Sequence, residues 1–319
     1  MTRDIVVIGS LNMDVVIHVP RFPGEGETLQ AAGLAHGPGG KGANQAVACA
    51  RLRTARAPIA VHMLGCVGDD AHGDALRRAI GHDGIDTSHM RTLPGPSGTA
   101  FVFVEPDGHN RIVIVAGANA AVSEGDIDGC AALFVSQPLV LLQLEVPLST
   151  VLHAAATARR HGCTVVLNPS PVAALPDALW RDVDIVVLND VEAQQLTGVE
   201  VDGAEAGERA ARALRERGPR LVVVTLGAGG VVAVGAAEAG GAVESHRMPA
   251  RHVSVVDTTA AGDTFTGALC AALAEGRALR DALERGIDAA AICVTRAGAM
   301  ASIPMAADLD ARRPFDTSG

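Results

Sequence analysis

"PLVLLQLEVPLSTVLHAAATARRHGCTVVLNPSP", residues 138–171, passes from a Val/Leu run through an Ala-rich stretch and back into a Val/Leu run. Residues 140–144 and 164–167 are largely apolar and bounded by turn formers, so they read as strands buried on both faces. Residues 149–161 between them, rich in Ala, Leu and Arg, read as a helix. The same alternation extends outward, with further strands expected at 5–8, 184–188 and 221–225 and helices at 204–217 and 262–275. Alternating strands and helices imply an α/β fold, a three-layer α/β/α sandwich with a mostly parallel central sheet. Ligands then belong at the carboxyl ends of the strands.

Two early segments break this rhythm. "VVIHVPRFPGEGETLQAAGLA" and "SGTAFVFVEPDGHNRIVIVAGAN" carry short apolar alternations around Pro23-Gly24 and around Pro106-Asp107-Gly108. The second reads as a hairpin, and both are expected to form a small accessory sheet. Strands within about residues 14–36 and 97–116 would make a flap over a site. With no internal repeat or long low-complexity tract, residues 1–319 read as one domain.

The 319 residues, 48% hydrophobic, suffice for a large core. A formal charge of −10 argues against nucleic acid or an anionic membrane surface as partner. The N-terminus enters a strand-like run without the pattern of a signal peptide, and no apolar stretch is long enough to span a bilayer. A cytoplasmic protein is expected. Six scattered cysteines with no CxxC suggest buried reduced thiols rather than a zinc or redox site. Of 26 basic residues only Lys41 is a lysine, which suits a place where a compact ammonium fits and a planar guanidinium does not.

In "IGSLNMD", Ser10, Asn12 and Asp14 alternate with apolar residues, so a strand would carry all three on one face. A carboxylate beside an amide suits adjacent hydroxyls of a diol; a solvated strand edge gives the same pattern. "GPGGKGANQA" lacks the Ser or Thr that a P-loop needs after its lysine. Its glycines permit close backbone approach to a ligand, or simply a turn with Asn44 capping the next helix. "TLGAGGVVAV" joins two strands rather than a strand and a helix, which disfavours a dinucleotide site. "NDVE" sets Asn189 three residues before Glu192, read either as a capping box or as polar groups near magnesium or phosphate.

"DTTAAGDTFTGAL", residues 257–269, has two acids six residues apart around small residues, just before a helix expected to begin near Asp263. The backbone N–H groups of Ala260, Ala261, Gly262 and Asp263 would converge on an anion. A carboxylate beside a bound phosphoryl group makes chemical sense as a base, so Asp263 is the candidate to take a proton from an attacking hydroxyl. Asp257 is better suited to a structural or cation role.

Together with "AGANA", "QLEVP", "LNPSP" and "VTRAGA", these motifs resemble, in order and approximate spacing from Asp4 to about Pro304, the ribokinase or PfkB family of carbohydrate kinases. The resemblance implies a ribokinase-like fold with a β-sheet lid that also forms a homodimer contact. It implies ATP as co-substrate, D-ribose as acceptor, Mg²⁺, and an activating monovalent cation, usually K⁺. Asn12, Asp14, Gly40, Lys41, Asn44 and Glu145 match sugar-contacting positions, and Asp263 the catalytic base within the 260–263 anion hole. Asn189, Glu192, Thr225, Gly227, Gly230 and Gly262 resemble the nucleotide side, with Glu192 near magnesium. Asp257, Thr259, Cys293, Arg296, Gly298 and Ser302 resemble the potassium site.

Two departures stand out: "RLRTARAPIA" is longer and more basic than usual, and Ile287 beside Asp288 stands where many members carry Asn or His near adenine. The implied activity is transfer of the ATP γ-phosphoryl group to the ribose 5-hydroxyl. Deoxyribose, a ketohexose or a nucleoside as acceptor remain alternatives. So does a silent sugar-binding protein on the same fold, since fold does not fix function. A redox enzyme is the weakest reading.

Overall fold

The computed structural model describes residues 2–54, 59–106, 109–237 and 240–311. Part of "RLRTARAPIA" and the Asp107-Gly108 turn lie outside them. Among the described residues thirteen strands occur in chain order: β1 Ile5–Ile8, β2 Asn12–His18, β3 Gly33–Gly39, β4 Val61–Gly68, β5 Met90–Leu93, β6 Gly98–Val104, β7 Asn110–Val115, β8 Leu139–Leu142, β9 Thr164–Leu167, β10 Ile185–Asn189, β11 Leu221–Thr225, β12 Val231–Gly235 and β13 Glu244–Met248. Nine form one sheet in the order β13-β12-β11-β10-β9-β8-β1-β4-β5. From β5 to β11 every neighbouring pair is parallel, and only the β11–β12 and β12–β13 pairs at one edge are antiparallel.

Successive residues of the central strands point to opposite faces, and each face has its own core. Ile5, Val7, Leu139, Leu141, Val166 and Val187 pack with one set of helices, which includes Lys41–Leu52, Ala261–Ala274 and Leu279–Cys293. Val6, Ile8, Val140, Leu142, Val165 and Val186 pack with the other, which includes Leu148–Arg160 and Ala204–Arg215. This is the expected three-layer α/β/α sandwich, with strands that have no polar face because both faces are covered. All six cysteines are buried and free. Among the described residues, no helix is long and apolar enough to cross a membrane.

The strand order places the site. From β1 the chain moves to one side through β4 and β5, then returns to pair β8 against the other side of β1 and continues to β11. The order therefore reverses between β1 and β8, and at such a reversal the outgoing loops separate and leave a crevice. The small sheet, β3-β2-β6-β7, starts from this crevice, since β2 follows β1 after three residues and β3 leads directly into the Lys41–Leu52 helix. β6 and β7 are the expected hairpin.

Candidate active site

The crevice is built first from the residues that follow β1 and β8. Glu145 Oε2 accepts from Ser10 Oγ at 2.5 Å and from the Lys41 backbone N–H at 3.0 Å. Asn12, buried on β2, accepts at Oδ1 from Asn119 Nδ2 at 2.8 Å. Asn119 in turn exchanges hydrogen bonds with both backbone groups of Leu11, which fixes the turn out of β1. Asp14 sits two residues along on the same face of β2, its carboxylate lying over Gly39 of the paired strand, where any Cβ would collide with it. Burial, reinforced by the charges of Glu145 and Asp263, pushes the Asp14 carboxyl up to about 7.

Gly40 has φ 90° and caps the Lys41–Leu52 helix; a Cβ there would stand 2.7 Å from the Asn12 backbone nitrogen. This left-handed residue turns the chain so sharply that the helix begins at Lys41. Asn44 is therefore one turn inside it, not at its cap as one sequence reading had it. Its Nδ2 instead donates to Asp263 Oδ2 at 3.0 Å.

Facing this group is the Ala261–Ala274 helix, which starts one residue before the expected 262–275 span. Ala260, its cap residue, is left-handed at φ 60° without being glycine, a strained conformation of the kind concentrated at functional sites. The expected set of four converging amides needs one correction. The Ala261 N–H donates to the Thr258 carbonyl at 3.2 Å, because the tight turn at Ala260 folds the chain back on itself. The Ala260, Gly262 and Asp263 amides, which precede the first intrahelical bond from Thr264 N to Ala260 O, remain as donors at the helix start.

Residues 260–263 line a cavity of about 200 Å³ together with Lys41, Asn168, Asn189, Glu192 and Thr225. Burial alone would pull the Lys41 ammonium down, but the carboxylates of Asp263, Glu145 and Glu192 outweigh it and push it up. The only lysine of the chain thus stays charged among three acids.

Asn189 and Glu192 form a complete capping box at the start of the Asp190–Thr197 helix, with bonds of 2.8 and 2.9 Å. The capping-box reading therefore holds, and the box also forms part of the cavity wall. Thr225, Ala261 and Gly262 are shared with a second cavity of about 400 Å³, mainly apolar, bounded by Gly227, Gly230, Val231, Phe265, Ile287 and Val294. Ile287 thus contributes an apolar wall, while Asp288 Oδ1 accepts from Arg251 Nε at 2.6 Å.

Behind the helix start, Asp257 ties two loops together. Its Oδ1 accepts from Thr259 N and Oγ1, and its Oδ2 from Gly298 N at 2.8 Å. Cys293 Sγ lies 3.7 Å from the Thr259 carbonyl and 3.1 Å from Ser302 Oγ. Five of the six residues matched to a potassium site are therefore linked through the hydrogen bonds of the Asp257 and Cys293 side chains. The sixth, Arg296, donates its backbone N–H to Cys293 O and directs its side chain to Asp308 at 3.1 Å.

Gln45, Gln143, Asn168, Asn119 and Ser10 complete the site, and of these only Ser10 was weighed from sequence. Gln45, Gln143 and Asn168 are buried polar residues within or just after apolar runs. That is the available sequence signal, because such groups need partners.

The fold and site define a class of protein that sequence comparison identifies. Residues 2–306 match the pfkB family of carbohydrate kinases, and the chain belongs to that family. Among its relatives, ribokinase of Haemophilus influenzae is 40% identical over 305 residues, 95% of this chain and 96% of that protein. Deoxyribokinase of Salmonella typhi is 38% identical over 303 residues, 94% of this chain and 95% of that protein. The structure of Arabidopsis thaliana ribokinase complexed with ribose and ATP superposes with a TM-score of 0.86 at 32% identity, covering 99% of this chain and 100% of that one.

Proposed function

We propose that this protein is an ATP-dependent kinase that phosphorylates D-ribose on its 5-hydroxyl, giving D-ribose 5-phosphate and ADP. The observation that carries the reading is Asp263 beside the open amides of its own helix. A carboxylate held against an anion site is a base waiting for a hydroxyl. In the reaction Asp263 takes the hydroxyl proton as O5 bonds to the γ-phosphorus, and the bond from that phosphorus to the ADP oxygen breaks. The Gly262 and Asp263 amides and the charged Lys41 stabilise the transferring phosphoryl group. Asn12, Asp14 and Glu145, with Gly40 and Asn44, hold the sugar hydroxyls. The 400 Å³ apolar cavity suits adenine, packed on Ile287 and bounded by Gly227 and Gly230.

The residues present suit both expected metals. Glu192 uses Oε2 for the capping bond and retains its other oxygen beside the phosphate cavity, which fits magnesium through its waters. When bound there, magnesium would supply positive charge against the nucleotide phosphates. For potassium, the loops that carry Asp257, Thr259, Cys293, Arg296, Gly298 and Ser302 would supply backbone carbonyls, and the Asp257 carboxylate ties two of these loops together. Such an ion would support the helix start from behind.

We further propose that the chain works in the cytoplasm, where its unpaired thiols stay reduced, and that residues 1–319 act as one domain. The four-stranded sheet serves as its lid, excluding water that would otherwise attack ATP.

Purified protein with ATP and magnesium is expected to release ADP with ribose far faster than with deoxyribose, fructose, adenosine or no sugar. Exchange of K⁺ for tetramethylammonium should slow it. Faster turnover on another acceptor would overturn the assignment of ribose, and indifference to the cation that of potassium.

The lid also carries Leu34, Ile112, Val113, Ile114 and Val115, all exposed, and β7 is an edge strand. Apolar side chains on an edge of this kind suit a second copy of the chain. Sedimentation is expected to give a dimer that Ile112→Asp converts to monomer; a wild-type monomer at micromolar concentration would refute it.

A further inference from the structure

We propose that Gln143, Gln45 and Asn168 form an amide relay that holds the Asp263 carboxylate in its reactive orientation, with Gln143 and Asn168 acting as positioning residues that do not touch it. The proposal rests on Asp263 being the base of a sugar kinase. Gln45 Nε2 donates both to Asp263 Oδ1 at 2.9 Å and to Asn168 Oδ1 at 3.1 Å. Gln143 Nε2 donates to Gln45 Oε1 at 2.6 Å. Asn168 Nδ2 donates to the backbone carbonyl of Val187 at 2.9 Å. Gln45 and Gln143 are 0% exposed and Asn168 is 9% exposed, so water does not substitute for these partners.

Direction is the essential point. A side-chain amide has one donating and one accepting end, and only the donating end can serve a carboxylate. A backbone carbonyl cannot reverse. Val187 O therefore fixes Asn168, whose oxygen then faces Gln45, and Gln45 must present its NH₂ to both Asn168 and Asp263. Gln143 closes the argument from the other side by capping the Gln45 oxygen with an N–H. Turning Gln45 over would set its oxygen against Asp263 and Asn168, and its NH₂ against that of Gln143. With Asn44 Nδ2 donating to the second oxygen, the carboxylate is gripped at both ends.

The arrangement spans four elements. Gln45 belongs to the Lys41–Leu52 helix, Gln143 and Asn168 follow β8 and β9, and Val187 lies on β10. The relay thus references the base, carried by another helix, to the rigid carboxyl edge of the central sheet.

Gln143 also has a feature that packing does not explain. Its Oε1 is buried without a hydrogen-bond partner, and Gly9 must be a glycine because a Cβ there would collide with that oxygen. A methionine of similar shape would remove this orphaned acceptor but strip the buried Gln45 Oε1 of its donor, so the value of the amide lies in what its other end does.

The test is Gln143→Met, assayed with whichever sugar the wild type turns over. Misplacement of a catalytic group costs up to about 10²-fold in rate. kcat is expected to fall by about 10- to 100-fold while KM for sugar and ATP stay within about threefold and the melting temperature stays close to that of the wild type, one orphaned acceptor replacing another. In an Asp263→Asn background the same substitution should change kcat by less than about twofold, because the relay acts only through that carboxylate. Undiminished kcat in Gln143→Met overturns the relay. A loss that tracks a lowered melting temperature, or that persists at full size in the double variant, overturns it as well. A wild type inactive on every sugar overturns the kinase reading first and the relay with it.

Discussion

Asp263→Asn is expected to lower kcat by about 10²- to 10⁴-fold, the range typical for loss of a positioned base. That is about 3 to 5 kcal/mol of barrier. The replacement keeps the shape of the side chain and removes its charge and its basicity. It also introduces an NH₂ where the carboxylate now accepts from two others, Asn44 Nδ2 and Gln45 Nε2, so one of these must turn or lose its partner. Sugar affinity should change far less than kcat, because Asn12 and Asp14, the groups proposed to hold the sugar, are held by β2, Asn119 and β3 rather than by this helix. Steady-state kinetics and a calorimetric titration with ribose separate the two quantities. Turnover within about tenfold of wild type would remove Asp263 from the role of base.

That separation reflects how the site is assembled, and it also explains what the sequence made legible. Buried parallel strands have no polar face, so the runs at 140–144, 164–167 and 221–225 announce themselves and fall within two residues of β8, β9 and β11. β4 does not, because His62 and Gly65 interrupt its apolar run although it lies between β1 and β5. Glycine-rich stretches before helices marked both halves of the site, since helix starts and close backbone approaches demand small residues.

Details that depend on which group meets which were beyond reach. Asn44 has the composition of a cap, and only the φ 90° turn at Gly40 shows the helix starting earlier. The Ala261 amide counted as free until the bend at Ala260 folded it onto Thr258. Gln45 and Gln143 stand 98 positions apart, and local sequence carries nothing about contacts at that range.

Asp14→Asn should raise the stability of the sugar-free protein at pH 8 while weakening its hold on ribose. Burial first, then Glu145 and Asp263, lift this carboxyl from 3.8 to about 7 in the folded protein. The native state therefore keeps a proton that the unfolded chain has released. Stability from this group is fully present below the unfolded value near pH 4 and is lost as pH rises towards 7. A shift of about three units corresponds to about 4 kcal/mol at most, reduced to about 1 to 2 kcal/mol by solvent at a half-open site. Asparagine has no such titration, so its advantage in melting temperature should appear at pH 8 and vanish near pH 4.

Binding runs the opposite way. Sugar hydroxyls donate to the ionised form, so ribose binding to the wild type should release a proton near pH 7 and weaken as the pH falls below it. Hydrogen bonds to a charged group contribute about 1.5 to 3 kcal/mol, so the variant should bind ribose about 10- to 100-fold more weakly at pH 8, with the pH dependence flattened. Calorimetry in two buffers of different ionisation enthalpy counts the proton directly. A variant that binds as tightly as wild type would place Asp14 outside the sugar contacts. One that melts no higher at pH 8 would mean its carboxyl is not held against its charge.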